Sequence, residues 1–387
     1  MTSAYSSISI EKIAVYVFRV PVTQPVETSF GRMRDRPAVF LSLTDSEGCT
    51  GWGEVFANWP AAGAEHRAHL IIEDLSALVL EKRYSHPSDL FHWLTKKTHI
   101  CALQSGEWGP FRQCIAGLDI ALHDIFARTK GVSLAQFLTN SPASKVKTYA
   151  SGIDIRRSFD LLATLRSLGF RSFKVKVGFD LAQDIVQIGA LSQSLLPAEQ
   201  LSADANQAWS LDEAISFCDA LGDIPILWLE EPMPADSSMV SWNSLATQFP
   251  RVGLAGGENI IGFSKFEEAI KSGCFKVIQP DVIKWGGLTG CFKVARQILD
   301  AGLLYCPHFL GGGIGLTASA HLLAAVSSEG LLEWDINPNP LREAFFPQNF
   351  LNSQGDFEIS NKPGLGIESL PDEIKRFCSF EQIITAN

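Results

Sequence analysis

Seven polar residues recur at a nearly constant spacing in the second half of the chain. Each lies at or near the C-terminal end of a short apolar run, and successive gaps are 28, 26, 28, 23, 27 and 25 residues. This is the length of one strand plus one helix, and in a closed parallel barrel all strand ends of this kind meet at one mouth, where active sites lie. The spacing therefore predicts one catalytic pocket built from Lys176, Asp204, Glu230, Glu258, Asp281, His308 and Glu333, with Lys174 beside the first of them.

Three of these residues, Asp204, Glu230 and Glu258, are carboxylates on adjacent predicted strands. Carboxylate oxygens are the ligands that a hard divalent cation prefers, and no His or Cys joins them as zinc would favour. Such residues also cap helices or pair with cations, but three at barrel spacing favour a metal site. Glu230 is followed by Glu231, and strand alternation lets only one of the two point inward. The spacing does not decide which one.

Lys174 and Lys176 are two residues apart in one strand, so both side chains should point into the barrel. Two neighbouring ammonium groups repel each other, which lowers the pKa of one and makes it a usable general base. We therefore expect Lys176 to have a pKa below that of an ordinary lysine. The alternative is a pair facing outward, which would leave Phe173, Val175 and Val177 to fill the interior.

Asp281 and His308 end consecutive predicted strands, close enough to form a hydrogen bond. A carboxylate on one ring nitrogen fixes the tautomer and raises the basicity of the other, so His308 is predicted to be an acid or base. Glu333 on the last strand would complete the ring. Its alternative role is that of a salt-bridged barrel carboxylate.

A glycine-rich turn follows His308. The stretch Gly313-Ile-Gly315-Leu-Thr-Ala318 matches the G-x-G-x-x-A fingerprint of dinucleotide-binding folds. Only 69 residues follow Ala318, too few for the remaining strands of such a fold. We expect the turn instead to present backbone N–H groups to a substrate anion at the start of a helix.

Composition limits the possible partners and location of the protein. With a net charge of −10, the 387-residue chain is a poor match for nucleic acid or an anionic membrane, neither of which is expected as a partner. No apolar run approaches the ~20 residues that span a bilayer, and the N-terminus lacks the pattern of a signal peptide. The eight cysteines form no C-x-x-C pair, so we expect reduced, buried thiols and a cytoplasmic location.

The chain changes its pattern near residue 146. Before it, strands precede helices in an α+β arrangement, with strands expected at 8–22, 38–44 and 49–55 and helices at 63–82, 86–97 and 110–129. After it, eight short β-type runs alternate with helices, which predicts a closed barrel of parallel strands rather than an open sheet. These runs are 146–151, 173–177, 201–204, 226–230, 252–256, 276–280, 304–307 and 331–334. Beyond residue 340 the chain is expected to be loop-like.

Several motifs together resemble one family. They are Gly51-Trp-Gly-Glu54, Gly117-Leu-Asp-Ile-Ala-Leu122, the Lys174/Lys176 pair, Asp204-Ala-Asn206, Glu230-Glu-Pro232, Gly257-Glu-Asn259, Gln279-Pro-Asp281, Pro307-His308 and Glu333 with Asn339-Pro-Leu-Arg342. Over nearly its whole length the chain resembles the enolase superfamily, in the mandelate racemase branch of the mandelate racemase/muconate lactonizing enzyme family. The resemblance implies a (β/α)7β TIM-like barrel with an α+β N-terminal capping domain, and it implies Mg²⁺ as cofactor. The expected domains are a capping domain at 1–130, a barrel at 131–340 and a segment at 341–387 that returns to the capping domain.

The resemblance also implies a role for each catalytic position. Asp204, Glu230 (rather than Glu231) and Glu258 would hold the metal. Lys176 would be the base on one face of the substrate, and His308, oriented by Asp281, the acid or base on the other. Glu333 would hydrogen-bond the developing enolate, with Lys174 and the metal on its other side. The segments 25–32 and 56–60 depart from the family, and we expect Asn206, Arg32 and Trp59 to contact substrate.

The implied reaction starts with removal of the proton α to a carboxylate. We favour β-elimination of water from a sugar acid, because the chain looks most like sugar-acid dehydratases and lactone cycloisomerases. The alternatives are cycloisomerisation of a lactone, racemisation or epimerisation of a 2-hydroxy acid, and a non-catalytic binding protein on the same fold. In each case the partner is a small-molecule carboxylate, and a homo-oligomer is the expected assembly.

Overall fold

The computed structural model describes residues 7–28, 31–326, 329–346 and 351–386, with only the backbone given for 23–28. Residues 29 and 30, within the segment 25–32 that departs from the family, lie outside this description. The β-strands are β1 (Ile8–Thr28), β2 (Gly31–Asp45), β3 (Thr50–Val55), β4 (Arg83–Tyr84), β5 (Lys145–Asp154), β6 (Ser172–Lys176), β7 (Gln200–Asp204), β8 (Leu229–Glu230), β9 (Leu254–Gly256), β10 (Phe275–Ile278), β11 (Leu304–Tyr305), β12 (Leu331–Asp335), β13 (Asp356–Glu358) and β14 (Cys378–Thr385).

Helices cover most of the remaining described chain. The α-helices are α1 (Gly63–His69), α2 (Ser76–Leu80), α3 (Ser88–Ser105), α4 (Trp108–Thr129), α5 (Leu134–Leu138), α6 (Ser158–Ser167), α7 (Leu181–Ser194), α8 (Leu211–Leu221), α9 (Met239–Gln248), α10 (Phe263–Ser272), α11 (Gly287–Asp300), α12 (Gly313–Val326), α13 (Pro340–Glu343) and α14 (Asp372–Lys375). A π-helix, Leu70–Leu75, joins α1 to α2. In the described ranges, no helix combines the length and apolar character needed to cross a membrane.

The N-terminal domain is an antiparallel sheet packed on helices. Its strand order is β14-β1-β2-β3, with β4 paired to β1. Helix α4 crosses β3 at very short distance: a Cβ at Gly53 would lie 2.0 Å from the carbonyl oxygen of Gly117. Only glycine permits this approach, which explains the glycines in the two motifs that the sequence presented at these positions.

The barrel is made of eight parallel strands, as the alternating pattern predicted. Its order is β5-β6-β7-β8-β9-β10-β11, and β12 pairs with β5 from the other side. The barrel is not fully closed by strand pairing, because β11 and β12 do not pair within the described residues. Beyond β11, Pro307 has no N–H to donate. There the N–H of Leu331 reaches the Sγ of Cys306 at 3.4 Å instead.

Several segments differ from the sequence prediction, among them α3, which runs to Ser105 rather than ending at residue 97. Strands β1 and β2 extend beyond 8–22 and 38–44, because Pro21 and Pro37 lie within the paired ladder rather than ending it. The helix expected at 63–82 is divided by the π-helix. The region beyond residue 340 is not purely loop-like: it holds α13, β13, α14 and β14, and β14 pairs antiparallel with β1.

Buried carboxylates of α4 hold neighbouring backbone. Asp119 accepts hydrogen bonds from the N–H (2.9 Å) and the hydroxyl (2.6 Å) of Thr289, at the start of α11. Asp124 accepts the N–H groups of Trp52 (2.9 Å) and Leu365 (2.7 Å), so it joins β3 to the C-terminal segment. Both carboxylates are completely buried, and burial raises both pKa values.

Asp124 should make stability depend on pH. Burial, opposed by Arg128 and backbone N–H groups, raises its pKa from 3.8 to about 6. The folded protein therefore binds the proton more tightly than the unfolded chain, and the stabilisation present below pH 4 is lost as the pH rises through 6. Relative to Asp124→Asn, the wild-type free energy of unfolding should fall by about 2 kcal/mol between pH 4 and 7. Urea unfolding of both proteins across this range measures the difference, and parallel pH profiles would contradict it.

Candidate active site

The two lysines of β6 share the interior face of the barrel. Lys174 is completely buried, with its Nζ 2.6 Å from Oε1 of Glu230 and 2.8 Å from Oε1 of Glu333. Lys176 lies nearer the mouth, with its Nζ 2.6 Å from Oδ2 of Asp204. Strand alternation thus places both ammonium groups among carboxylates from neighbouring strands.

The expectation of a depressed lysine pKa is wrong for this arrangement. Burial lowers the pKa of Lys176 and so does repulsion from Lys174, but Asp204 and Glu230 together outweigh both, so the pKa is raised. The same balance, with Glu230 and Glu333 as the opposing carboxylates, raises the pKa of Lys174 well above its ordinary value. The sequence argument counted the repulsion between the lysines and omitted the carboxylates that the fold brings to each one.

Both members of the Glu230-Glu231 pair lie at the mouth. Glu230 accepts hydrogen bonds from Lys174, from Nε1 of Trp228 at 3.1 Å and from Nε2 of Gln279 at 2.7 Å. Glu231 is also buried, and its two oxygens accept from Nδ2 of Asn259 at 3.1 and 3.0 Å. Alternation does not separate them, because β8 ends at Glu230 and Glu231 has a φ of 37°, outside the strand region.

Asp281 and His308 form the predicted pair. Nδ1 of His308 is 2.7 Å from Oδ2 of Asp281, and Nε2 is 2.7 Å from Oε2 of Glu258. Burial lowers the pKa of His308, but Glu258 and Glu333 outweigh it and raise the pKa well above its ordinary value. With a carboxylate on each ring nitrogen, the favoured form is the imidazolium, which donates from both nitrogens.

Glu333 is fixed by three donors. Its Oε1 accepts from the hydroxyl of Ser151 at 2.5 Å and from Lys174, and its Oε2 accepts from the N–H of Phe309 at 3.0 Å. Burial acts to raise its pKa, but Lys174 and His308 outweigh it and lower the pKa to about 2. Glu333 is therefore a carboxylate acceptor in this arrangement. Ser151, which orients it, carried no signal in the sequence beyond its position in the first barrel strand.

Lys176, Glu258, His308 and Glu333 line a cavity of about 1040 Å³ between the barrel and the capping domain. Of the predicted substrate-binding residues, Asn206 and Trp59 line it, whereas Arg32 has an exposed side chain on β2 and is outside the described lining. Arg36, four residues further along β2, lines the cavity and donates to Asp335 at 2.9 Å. The other polar lining residues used below are Asn58, Arg156, Lys176, Glu258, Lys284, His308, Glu333 and Asn337.

Lys284 is a site residue that sequence reasoning missed. Its Nζ is 2.8 Å from Oδ1 of Asn259 and 3.3 Å from Oε2 of Glu258. It follows Asp281 by three residues, and the turn after β10 brings it back over the mouth, since the N–H of Lys284 bonds to the carbonyl of Asp281 at 3.1 Å. An i, i+3 position after a strand-end aspartate is the signal that could have identified it.

The predicted metal ligands occupy neighbouring strand ends in register, with Asp204 opposite Glu230. Each is now paired with a cation: Asp204 with Lys176, Glu230 with Lys174, and Glu258 with His308. As arranged, no group of three His, Cys, Asp or Glu side chains in the described ranges is gathered to hold a metal ion. The donor set itself fits Mg²⁺, since three adjacent buried carboxylates offer hard oxygen ligands and their negative charge requires cations. Ligation would need these carboxylates to exchange their lysine and histidine partners for the ion.

The fold and the site together define a parallel barrel whose mouth carries buried acidic and basic side chains beneath a capping domain. Residues 159–373 match the family model described as enolase C-terminal domain-like, and residues 12–139 match the mandelate racemase/muconate lactonizing enzyme N-terminal domain. The chain belongs to the mandelate racemase/muconate lactonizing enzyme family of the enolase superfamily, as its motifs predicted.

Relatives within this family carry several activities. The chain is 26% identical over 368 residues to D-galactarolactone cycloisomerase of Agrobacterium fabrum, covering 91% of this chain and 94% of that one. A crystal structure of a mandelate racemase/muconate lactonizing enzyme from Bordetella bronchiseptica is 43% identical, with a TM-score of 0.90 and coverage of 96% and 100%. L-talarate dehydratase of Polaromonas, complexed with Mg and L-glucarate, is 25% identical, with a TM-score of 0.81 and coverage of 98% and 100%.

Proposed function

We propose that this protein removes the α-proton of a hydroxylated carboxylic acid and eliminates water from the β-carbon, as an acid-sugar dehydratase. The observation that carries this proposal is the placement of Lys176 and His308. In the strand order β6 and β11 are three positions apart one way and five the other, and both side chains line one cavity, so we infer that they lie on opposite sides of it. A base on one side and an acid on the other is the arrangement that elimination requires.

Each remaining residue would serve the same reaction. Lys176 would first have to lose its own proton, which would become easier once Asp204 exchanged it for the ion, and would then take the α-proton. His308, held by Asp281, would give a proton to the departing hydroxyl. Lys174 supplies a fixed buried positive charge, and Glu333 orients it. The predicted hydrogen bond from Glu333 to an enolate would require Glu333 to gain a proton when substrate binds, because it is an acceptor here. A Mg²⁺ held by Asp204, Glu230 and Glu258 would supply Lewis-acid charge for the substrate carboxylate.

The cavity wall supports a hydroxylated substrate. Asn58, Asn206, Arg36, Arg156 and Asn337 offer amide and guanidinium groups on several sides of it, and such groups hydrogen-bond hydroxyl and carboxylate oxygens. The same wall suits a lactone, and the relative from Agrobacterium fabrum makes cycloisomerisation the second candidate. Racemisation or epimerisation is the third candidate, since two groups on opposite sides also serve it.

Proton NMR in D₂O tests the function. The purified protein is incubated with Mg²⁺ and a panel of aldonic and aldaric acids, with EDTA-treated protein as control. Loss of an α-proton signal together with a new deoxy-methylene signal would establish the dehydratase. Exchange of the α-proton without elimination would show that the protein is a racemase or epimerase and not a dehydratase. If no α-proton exchanges but a galactarolactone is turned over, the protein is a cycloisomerase. If no reaction occurs and Mg²⁺ does not bind, a binding protein is favoured.

The predicted ligand set is tested without any substrate. Asp204→Asn should weaken Mg²⁺ binding about 100-fold, since even the loss of a residue behind a ligand costs about 10- to 100-fold. Isothermal titration calorimetry measures the affinity directly. Asp281→Asn is the matched control, because it removes a nearby buried carboxylate that is outside the ligand set and should leave the affinity within a few-fold of wild type. Equal losses in both variants would contradict the assignment.

A further inference from the structure

The turn that carries His308 is held from above by one segment of the capping domain. Oε1 of Glu54 accepts the N–H of Gly312 at 2.5 Å, and Oε2 accepts the N–H of Gly315 at 2.7 Å. Four residues further along, Nδ2 of Asn58 donates to the carbonyl of Leu310 at 2.8 Å. Three contacts from residues 54–58 thus fix residues 310–315, directly after His308.

The same segment reaches the turn that carries Asp281. The N–H of Phe56 donates to the carbonyl of Ile283 at 3.3 Å. In turn, the N–H of Ile283 donates to Oδ1 of Asp281 at 2.9 Å, leaving Oδ2 for His308. The 54–58 segment therefore contacts the turns of both members of the Asp281–His308 pair.

The opposite face of the site has no such support. The ammonium group of Lys176 bonds to Asp204 on the neighbouring barrel strand. Within the part of the chain that the structure describes, no capping-domain side chain hydrogen-bonds to either residue. A disturbance of the 54–58 segment should therefore displace His308 and leave Lys176 in place.

Glu54 makes two of the three contacts between this segment and residues 310–315. It is buried to 1% exposure, and a Cβ on Gly311 would lie 2.6 Å from its Oε1. The backbone N–H groups at the start of α12 were expected to meet a substrate anion; in the structure two of them already bind the carboxylate of Glu54. This corrects the sequence interpretation, and it explains the glycine at position 311, because a Cβ there would collide with the carboxylate.

We propose that Glu54 is a positioning residue for His308, which couples the capping domain to the acid–base group on one face of the substrate. Glu54 does not touch the reacting atoms and acts through the backbone of residues 310–315. The proposal rests on the proposed function, because it assumes that Lys176 and His308 act on opposite faces. It adds that the capping domain fixes the position of His308 on one face but does not fix that of Lys176 on the other.

Glu54→Gln is the test variant, because glutamine keeps the shape and accepts only one of the two N–H groups while its NH₂ opposes the other. Asp124→Asn is the matched control: it alters another buried capping-domain carboxylate that accepts two backbone N–H groups, one of them from Trp52 on the strand of Glu54, and it makes no hydrogen bond to residues 310–315. α-Proton exchange in D₂O is measured on the C2 epimers D-gluconate and D-mannonate, or on the C2 epimers of whichever acid the wild type turns over. Lys176→Met and His308→Asn assign each epimer to its face.

Glu54→Gln should slow exchange from the His308 face by about 10- to 100-fold, as misplacing a catalytic group by about 1 Å does. Exchange from the Lys176 face should change less than twofold, and Asp124→Asn should leave the ratio between faces unchanged. An equal loss on both faces, or no loss on either, would overturn the proposal. If Glu54→Gln does not fold, Asn58→Ala tests the same segment; its effect on substrate binding acts on both epimers, so the ratio between faces remains the measure.

A substrate-independent measurement separates this proposal from the proposed function. The ¹⁵N-histidine spectrum, with the His308 signals assigned by His308→Asn, reports the tautomer and surroundings of the ring. Glu54→Gln should shift these signals and Asp124→Asn should not. If the wild type exchanges no α-proton but Glu54→Gln moves the His308 signals, the function fails and the positioning stands. Unmoved signals in a folded Glu54→Gln protein would overturn the positioning.

Discussion

Replacing Lys176 with methionine should lower kcat for the substrate acid by about 10³-fold, the middle of the range for loss of a positioned general base. Methionine fills a similar volume but cannot accept a proton. The loss should fall on kcat more than on KM, because the substrate carboxylate and the other polar lining residues are untouched. Steady-state kinetics at saturating Mg²⁺ measure both parameters, once calorimetry has shown that the variant still binds the metal.

Lys284→Met is the matched control for this variant. Lys284 lines the same cavity and pairs with Glu258, another predicted metal ligand. If Lys176 is the base, kcat should fall far less in Lys284→Met than in Lys176→Met. The reverse order would transfer the role of base to Lys284, on the same side of the site as His308, and would undo the opposed arrangement on which elimination depends.

The barrel could be predicted because its signal is repeated. Each strand–helix unit returns the chain to the same mouth, so one polar residue at each strand end suffices to predict a ring of side chains. The pairing of Asp281 with His308 follows from that repeat, and the structure places their atoms 2.7 Å apart. The same reasoning places Lys174 and Lys176 inside, because alternation along a short strand is hardly ever violated.

The repeat gave no information on contacts that cross between domains. Glu54 and Gly312 are separated by 258 residues, and nothing local to either residue marks the contact. The raised pKa of Lys176 likewise depends on a 2.6 Å distance to Asp204, which strand order alone cannot supply. The inward position of Glu231 could not be predicted, because strand alternation ends at Glu230. The positive φ of Glu231 turns its side chain back to the site.

Lys174→Met should be the most destabilising single substitution in the site. It removes the cation that lies 2.6 Å from Glu230, 2.8 Å from Glu333 and 3.7 Å from Asp204, all of them buried. Removing one partner of a buried ion pair costs about 3–5 kcal/mol, because the remaining charge is left uncompensated. Urea unfolding in the absence of Mg²⁺ measures this loss. Lys145→Met is the control, since that lysine is half exposed beside Asp356 and its loss should cost less than about 1 kcal/mol.

The pH dependence shows whether charge is the cause. Without Lys174, Glu230 and Glu333 would repel each other in a buried site, so their pKa values should rise and the folded variant should take up protons. Its deficit in stability relative to wild type should therefore be smaller at pH 5 than at pH 8. Glu230→Gln in the same variant should recover part of the loss at pH 8, because it removes one of the unpaired charges. A deficit that is constant with pH would mean that Lys174 stabilises the barrel by filling space, and the buried charge network would then be incidental to the fold.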